Sequence, residues 1–290
     1  MIPNNNLSVL PWYTSIEQQN ARKWWIYNRV YPLFVQAGYM LPFQLIIPHN
    51  SSALNLNYFR IIRADGITLG DFKTNIQNGG IQKLQFASLG YDIILFPGNT
   101  VVFSSFPNGQ YYVQMSVNSV VYYSEIFTVV NDIQPYLKIE WWDIEDLVMD
   151  AGRIVYRYGN NQFKNVLYLM ADIAKPEYTF EEEGETRDGY FFPTKMISEK
   201  RYKFSFLASE YLLDVMRFIR MSDNIQISYH SEIYSVGAFL LTPEWESNGD
   251  VASVDVEFTT ASVAKKIGLG YIRSLRGDFN DDFNVDFNNV

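Results

Sequence analysis

The sequence predicts a mainly β protein with some α structure: an Ig-like β-sandwich followed by an α+β domain with antiparallel strands, plus extended terminal arms. Aromatic residues make up 17% of the 290 residues, including 21 Tyr and 21 Phe. That composition suits strands and broad contact surfaces better than long amphipathic helices. Short alternating runs separated by Gly, Pro and Asn turns recur between residues 49 and 132, at the spacing of a small sandwich. The clearest helical periodicity is in SEYLLDVMRFIRMSDN. The absence of a 20–50-residue repeat argues against a solenoid or propeller.

Residues 1–48 read as an aromatic, proline-rich arm, interrupted by Pro11, Pro32, Pro42 and Pro48 and carrying Trp24 and Trp25. Thr14-x-x-Glu17 has the spacing of a capping box for a short helix through Lys23, because a hydroxyl and a carboxylate can each satisfy a free amide at a helix start. The remainder reads as extended. Without clean periodicity such a segment is expected to lie across its own globule or across a neighbour's, with Trp24 and Trp25 at an assembly interface.

Residues 49–132 are assigned to the sandwich. FRIIRADGITL contains an Asp-Gly turn, and VVFSSFPNGQYYVQMSVNSVVYYSEIFTVV holds three candidate strands joined by Pro107-Asn108-Gly109 and Asn118-Ser119. Val113, Met115 and Val117 fall on one face, opposite Gln114 and Ser116; Tyr123, Phe127 and Val129 are expected to face one way and Ser124 and Thr128 the other. Residues 133–275 form the expected α+β domain. Ser209 is placed to cap its helix, and Leu212, Val215, Met216 and Ile219 follow i, i+3, i+4, i+7 spacing. A meander follows, with a Ser-Asn-Gly-Asp turn at 247–250 and with Val254, Val256 and Phe258 alternating with Ser253, Asp255 and Glu257.

A net charge of −9 and a pI near 4.8 argue against direct nucleic-acid binding, which draws on a surplus of Lys and Arg. The lack of Cys excludes disulfides, thiolate zinc sites and a Cys nucleophile. The start, MIPNNNLSVLPW, has no basic n-region or apolar stretch of a signal peptide, and no run approaches the roughly 18 apolar residues of a membrane span; the expectation is cytoplasmic synthesis and no membrane partner. GLGYIR lacks the last glycine of a dinucleotide fingerprint. With only His49 and His230, a histidine metal cluster or a relay has little raw material. Ser228, His230 and Glu232 alternate and would share a strand face. No catalytic, cofactor-binding or metal-ligating residue is expected.

Two acidic segments offer alternatives. YLKIEWWDIEDL sets Glu140, Asp143, Glu145 and Asp146 beside Trp141 and Trp142, the residue types of a glycan-binding or glycan-cleaving module, although sequence nearness does not set the roughly 5–9.5 Å spacing of a catalytic pair. FEEEGETRDGYFFP crowds Glu181, Glu182, Glu183, Glu185 and Asp188 into a glycine-containing loop. Oxygen ligands suit calcium, but EF-hand spacing is absent, and Arg187, Lys195 and Lys200 can balance the charge. The segment reads as a solvated hairpin or an intersubunit salt-bridge loop, with Glu181, Glu182, Glu183 and Glu185 meeting a basic surface on a neighbour.

LPWYTSIEQQNARKWWIYNRVYPLF, YYSEIFTVV, YLKIEWWDIED and FEEEGETRDGYFFPTKMISEKRYKF, with the repeated Asp-Phe-Asn at the end, resemble virion structural proteins of tailed bacteriophages and prophages of gut Bacteroidales. The resemblance covers most of the chain. It implies a non-enzymatic tail, hub or connector component, assembled inside the bacterial host as a ring, with six or twelve copies as the expected numbers and other virion proteins as further partners. It carries over no catalytic residues.

The ending GDFNDDFNVDFNNV, within a C-terminal arm of residues 276–290, fails as a calcium loop: counting from Asp278, Phe283 stands where an EF-hand needs glycine and Asn289 where it needs glutamate. It is too rich in Phe for a simple disordered tail. Phe279, Phe283 and Phe287 share a face on a strand and drift only about 40° per step on a helix, so the arm is expected to order when this ladder enters pockets on an adjacent subunit.

Overall fold

The computed structural model describes residues 8–21, 33–98, 106–149, 153–158, 163–187, 189–245, 251–260 and 264–267. Trp24, Trp25, Asp188, the 247–250 turn, Phe279, Phe283 and Phe287 lie outside the described residues. The first half contains β1 (Trp12–Tyr13), α1 (Ile16–Ala21), β2 (Leu33–Gln36), β3 (Phe43–Pro48), β4 (Leu56–Arg63), β5 (Thr68–Asp71), α2 (Lys73–Asn78), β6 (Gln82–Phe86), β7 (Tyr91–Phe96), β8 (Gly109–Val117), β9 (Val120–Ser124) and β10 (Phe127–Val130). β8 is central to one sheet. β4 and then β5 lie on one side, β9 and β10 share the other, and β1 and β2 flank those two. Every pair is antiparallel except β2 with β10. The second sheet, β3-β7-β6, faces the first, with Phe43 packed 4.8 Å from Trp12 and 6.4 Å from Phe59 between ring centroids.

β1, β2 and β3, from the segment read as an arm, are woven into the sheets of the strands that follow residue 48. The helix cap is also displaced by one residue. Gln18 donates its amide to the Ser15 hydroxyl at 3.2 Å and accepts the Thr14 amide on its side-chain oxygen at 3.2 Å, so Ser15 and Gln18 close the start of α1 where Thr14 and Glu17 were expected.

Val113, Met115 and Val117 are buried, as alternation requires. Their partner strand is offset by a bulge: Gln114 faces Tyr123, whereas Tyr111 faces Phe127. Tyr122 and Ser124 point inward before it and Phe127 and Val129 after it, leaving Tyr123 only half-buried. The expectation for Tyr123 fails because the bulge adds one residue and resets the face. Glu125 fills this bulge, its carboxylate accepting the Tyr13 hydroxyl at 2.8 Å and the Ile126 amide at 3.0 Å. Asn118 and Ser119, at φ 51 and 67, make the tight turn read from the sequence.

The second half contains β11 (Leu137–Trp142), β12 (Leu147–Met149), β13 (Arg153–Tyr156), β14 (Asn165–Leu169), β15 (Glu177–Arg187), β16 (Tyr190–Ser209), α3 (Glu210–Met216), β17 (Asn224–Tyr229), β18 (Glu232–Trp245), β19 (Val251–Thr260) and β20 (Ala264–Ile267). A large antiparallel sheet runs β14-β11-β17-β18-β19-β16-β15, with β20 also on β16, and β12 pairs with β13. Ser209 stands extended at the start of α3, but its hydroxyl makes no cap hydrogen bond. Leu212, Val215, Met216 and Ile219 are buried, as are Val254, Val256 and Phe258.

One hydrophobic core runs from Val9 to Phe258 and joins the two halves, so the expected division at residue 132 is not a break in packing. Tyr211 donates its hydroxyl to the Val9 carbonyl at 2.8 Å. The buried Gln44 amide clasps the Arg157 backbone in both directions, at 2.8 and 2.9 Å, imitating a strand pair between the halves. Beside it, Leu95 packs among Tyr156, Tyr158, Phe163 and Phe218.

Asp92, fully buried on β7, ties down the β3–β4 loop. Its carboxylate meets His49 Nδ1 at 2.8 Å, the Asn50 amide at 2.8 Å, Lys83 Nζ at 3.0 Å and the Phe86 amide at 3.3 Å. Burial alone would push this carboxyl up, but hydrogen bonds from His49, Asn50, Lys83 and Phe86 together outweigh it and hold the group down at about 2. A folded value below the ordinary 3.8 contributes stability that is full above about pH 4 and is lost as pH falls through about 2. Asp92→Ala should cost about 3–5 kcal/mol at pH 7, because it leaves buried cationic and amide donors unpaired. Urea unfolding from pH 5 to 2 should show the wild type losing about 2 kcal/mol that the variant has already lost; parallel pH profiles would contradict this role.

Candidate functional site

The acidic segment forms a hairpin, one of its two expected readings, with Glu181, Glu182, Glu183 and Glu185 on its first strand. β15 pairs with the first part of β16 from Glu177↔Arg201 to Arg187↔Tyr190, and Gly189 takes the left-handed φ of +86 at the turn. Gly184 lies at a register shift beside Glu183, so its glycine marks a bulge within the ladder. The sequence EYTF has the period-2 aromatic pattern that a strand requires.

Pairing sorts the side chains onto two faces. Tyr178, Phe180 and Glu182 stand opposite Lys200, Ser198 and Met196, and Phe191 joins them opposite Thr186. Glu181, Glu183 and Glu185 take the other face, so the four predicted interface glutamates are split, with Glu182 on the aromatic side. Tyr178 is 59% exposed, Phe180 68%, Tyr190 72% and Phe191 50%. The aromatic face continues that of Tyr202, Phe204, Phe206 and Ala208 on β16, which are buried in the body. The same strand face is thus covered at the root and bare on the projecting arm.

Ion pairs lace the arm: Glu183 with Lys195 at 2.7 Å, and Lys203 with Glu177 at 3.0 Å and Glu257 at 3.4 Å. Glu177, then Glu257, raise the Lys203 ammonium above its ordinary value. Lys200 lies 5.8 Å from the centre of the Tyr178 ring. Exposed pairs of this kind contribute little to stability. Glu181 and Glu182 make no ion pair among the described residues, which leaves their charges available to an incoming surface.

The Trp segment has a different geometry. Trp141 is fully buried in the shared core, and the half-buried Trp142 has Lys164 Nζ 3.9 Å from its ring centre. Glu140 pairs with Lys138 at 2.8 Å, Asp143 accepts the Asp223 amide at 2.5 Å, and Asp146 pairs with Arg157. Trp141 therefore offers no platform to a sugar. Ser228, His230 and Glu232 do not share a strand face either: His230, at φ 51, forms the turn between Tyr229 and Glu232.

Among the described residues, no group of three or more His, Asp or Glu is placed to hold a metal ion, and no helix is long and apolar enough to cross a membrane. No family model, curated protein or solved structure matches the chain. Sequence reasoning singled out the arm's glutamates but missed Tyr178, Phe180, Tyr190, Phe191 and the β20 edge; the alternation in EYTFEEE was the available signal for the first two.

Trp141→Ala should cost about 3–5 kcal/mol in guanidinium unfolding. Tyr178→Ser and Phe180→Ser, at exposed sites, should each change stability by no more than about 0.5 kcal/mol. Comparable losses at all three positions would show that the arm packs against its own body.

Proposed function

We propose that the chain is a non-enzymatic structural component of a tailed-phage virion, forming a ring in the tail, hub or head–tail connector through contacts with copies of itself and with other virion proteins. The observation that carries this reading is the β15–β16 arm. A hairpin strand that is largely exposed gains little from packing, and this hairpin places Tyr178, Phe180, Tyr190 and Phe191 at the surface, where exposed aromatics favour a protein partner. The sequence resemblance supplies the setting, a virion assembled in the host cytoplasm. Trp24, Trp25 and the Phe279, Phe283, Phe287 ladder are proposed as additional contacts.

The Ig-like reading of the first half belongs to the same proposal. The order β2-β10-β8-β4-β5 facing β3-β7-β6 corresponds to strands A′GFCC′ facing BED. Tyr111, near the start of β8, donates its hydroxyl to the Pro107 carbonyl at 2.8 Å, the bond of a tyrosine corner. β4 carries the buried Phe59 and Ile61 in place of a core Trp. Such a sandwich would give the arm a rigid root.

The alternative of a glycan-binding or glycan-cleaving tail module would have to work through Trp142 without Trp141. Mass photometry and electron microscopy of the purified chain and of native particles should show a closed ring, with no hydrolysis of bacterial capsule glycans. Isolated monomers with no ring contact in particles would overturn the structural role; glycan cleavage abolished by Glu140→Gln in a folded protein would replace it with the enzymatic one.

A further inference from the structure

The arm has two chemically different edges. Its strand order is β15-β16-β20, and β20 runs from Ala264 opposite Ser198 to Ile267 opposite Lys195. One outer strand, β15, carries Glu177, Glu181, Glu182, Glu183 and Glu185 against Arg187; the other, β20, reads Ala264-Lys265-Lys266-Ile267. Neither outer edge pairs with another strand among the described residues.

We propose that the acidic β15 edge of one copy docks alongside the basic β20 edge of the next, joining the arms head to tail in a closed ring. This rests on the structural reading above and names the partner as a second copy of this chain. Charge selects the pairing: two β15 edges would set glutamate against glutamate and two β20 edges lysine against lysine, whereas the unlike edges attract. A contact between two different patches is heterologous and closes into a ring when the rotation between copies closes. Direction is compatible as well. β15 and β20 are each antiparallel to β16 and hence parallel to one another; cyclic symmetry keeps every arm pointing the same way, so the new ladder is parallel.

Area also favours neighbours on both edges. The 11 residues of β15 span about 36 Å, and two strands are about 10 Å wide, giving roughly 350 Å² per face. That is below the roughly 800 Å² per partner of a standard interface. Edge pairing adds a second neighbour to each arm and merges the faces bearing Tyr178, Phe180 and Phe191 into one apolar surface.

Two charge-reversed proteins test the inference. One carries Glu181→Lys, Glu182→Lys and Glu185→Lys, which leaves only Glu177 and Glu183 acidic on β15 and makes both edges basic; the other carries Lys265→Glu and Lys266→Glu, making both edges acidic. Glu183, which holds Lys195, is left in place. Unchanged circular dichroism and melting would establish folding; Glu181→Gln with Glu182→Gln serves if the reversed arm misfolds, and should weaken assembly to a smaller extent. By mass photometry each reversed protein alone should remain monomeric where the wild type forms rings, with at least a tenfold weaker association. Their equimolar mixture should restore rings with an even number of copies. If both variants form wild-type rings alone, the ring reading stands and the edge assignment fails. If both lose assembly and the mixture stays apart, each edge meets something other than the opposite edge of a second copy. A wild type that is monomeric at every concentration overturns the ring reading and the inference together.

Discussion

The alternation of β16 from Met196 to Ala208 is the constraint on which body and arm both depend. Tyr202, Phe204, Phe206 and Ala208 are core, and a slip of one residue would turn all four to water. The same parity dictates what happens beyond the root. Lys200, Ser198 and Met196 continue the core face, and cross-strand pairing places Tyr178 and Phe180 beside them. The exposed aromatic surface is thus an extension of the interior, continued past the point where the body ends. The opposite parity collects Glu181, Glu183 and Glu185.

A projecting arm transmits force or position only when its root is fixed. The core shared by both halves supplies that fixation, reinforced by polar contacts that reach far along the chain. Gln44 behaves as an additional strand residue toward Arg157, and Tyr211 reaches back to Val9. Asp92 concentrates four donors on a buried carboxylate and pins the loop after β3. Removing any one partner from such a network exposes the desolvation cost of the others, which makes the body a cooperative support for the mainly β architecture.

Local features were legible in the sequence. Leu137, Ile139 and Trp141 alternate in the sequence and are all buried; Asn118-Ser119 has the residue chemistry of its turn; the 212–219 periodicity identifies the buried face near α3. What the sequence concealed depends on distant pairing. β2 lies parallel to β10 with Leu33 opposite Phe127, and neither segment carries a local mark of the other, so residues 33–48 read as an arm. The clustered glutamates and Gly184 admit both a hairpin and a loop, and the alternation of Tyr178 and Phe180 is the local signal that favours the hairpin. Tyr123 was assigned the wrong face because the bulge at Glu125 has no signature in YYSEIF beyond a buried charge that Tyr13 satisfies. The roles of Trp24, Trp25 and the terminal Phe ladder lie outside the described residues.

Amide hydrogen exchange over residues 177–187 provides the most direct measurement of whether the arm is a surface awaiting a copy of itself. In dilute monomer, the β15 amides directed toward β16 should be protected while those on its outer edge exchange rapidly; in the assembled ring the outer-edge amides should slow by at least tenfold as they gain a partner. An exchange pattern in the ring identical to that of the monomer would contradict an arm built for edge-to-edge assembly.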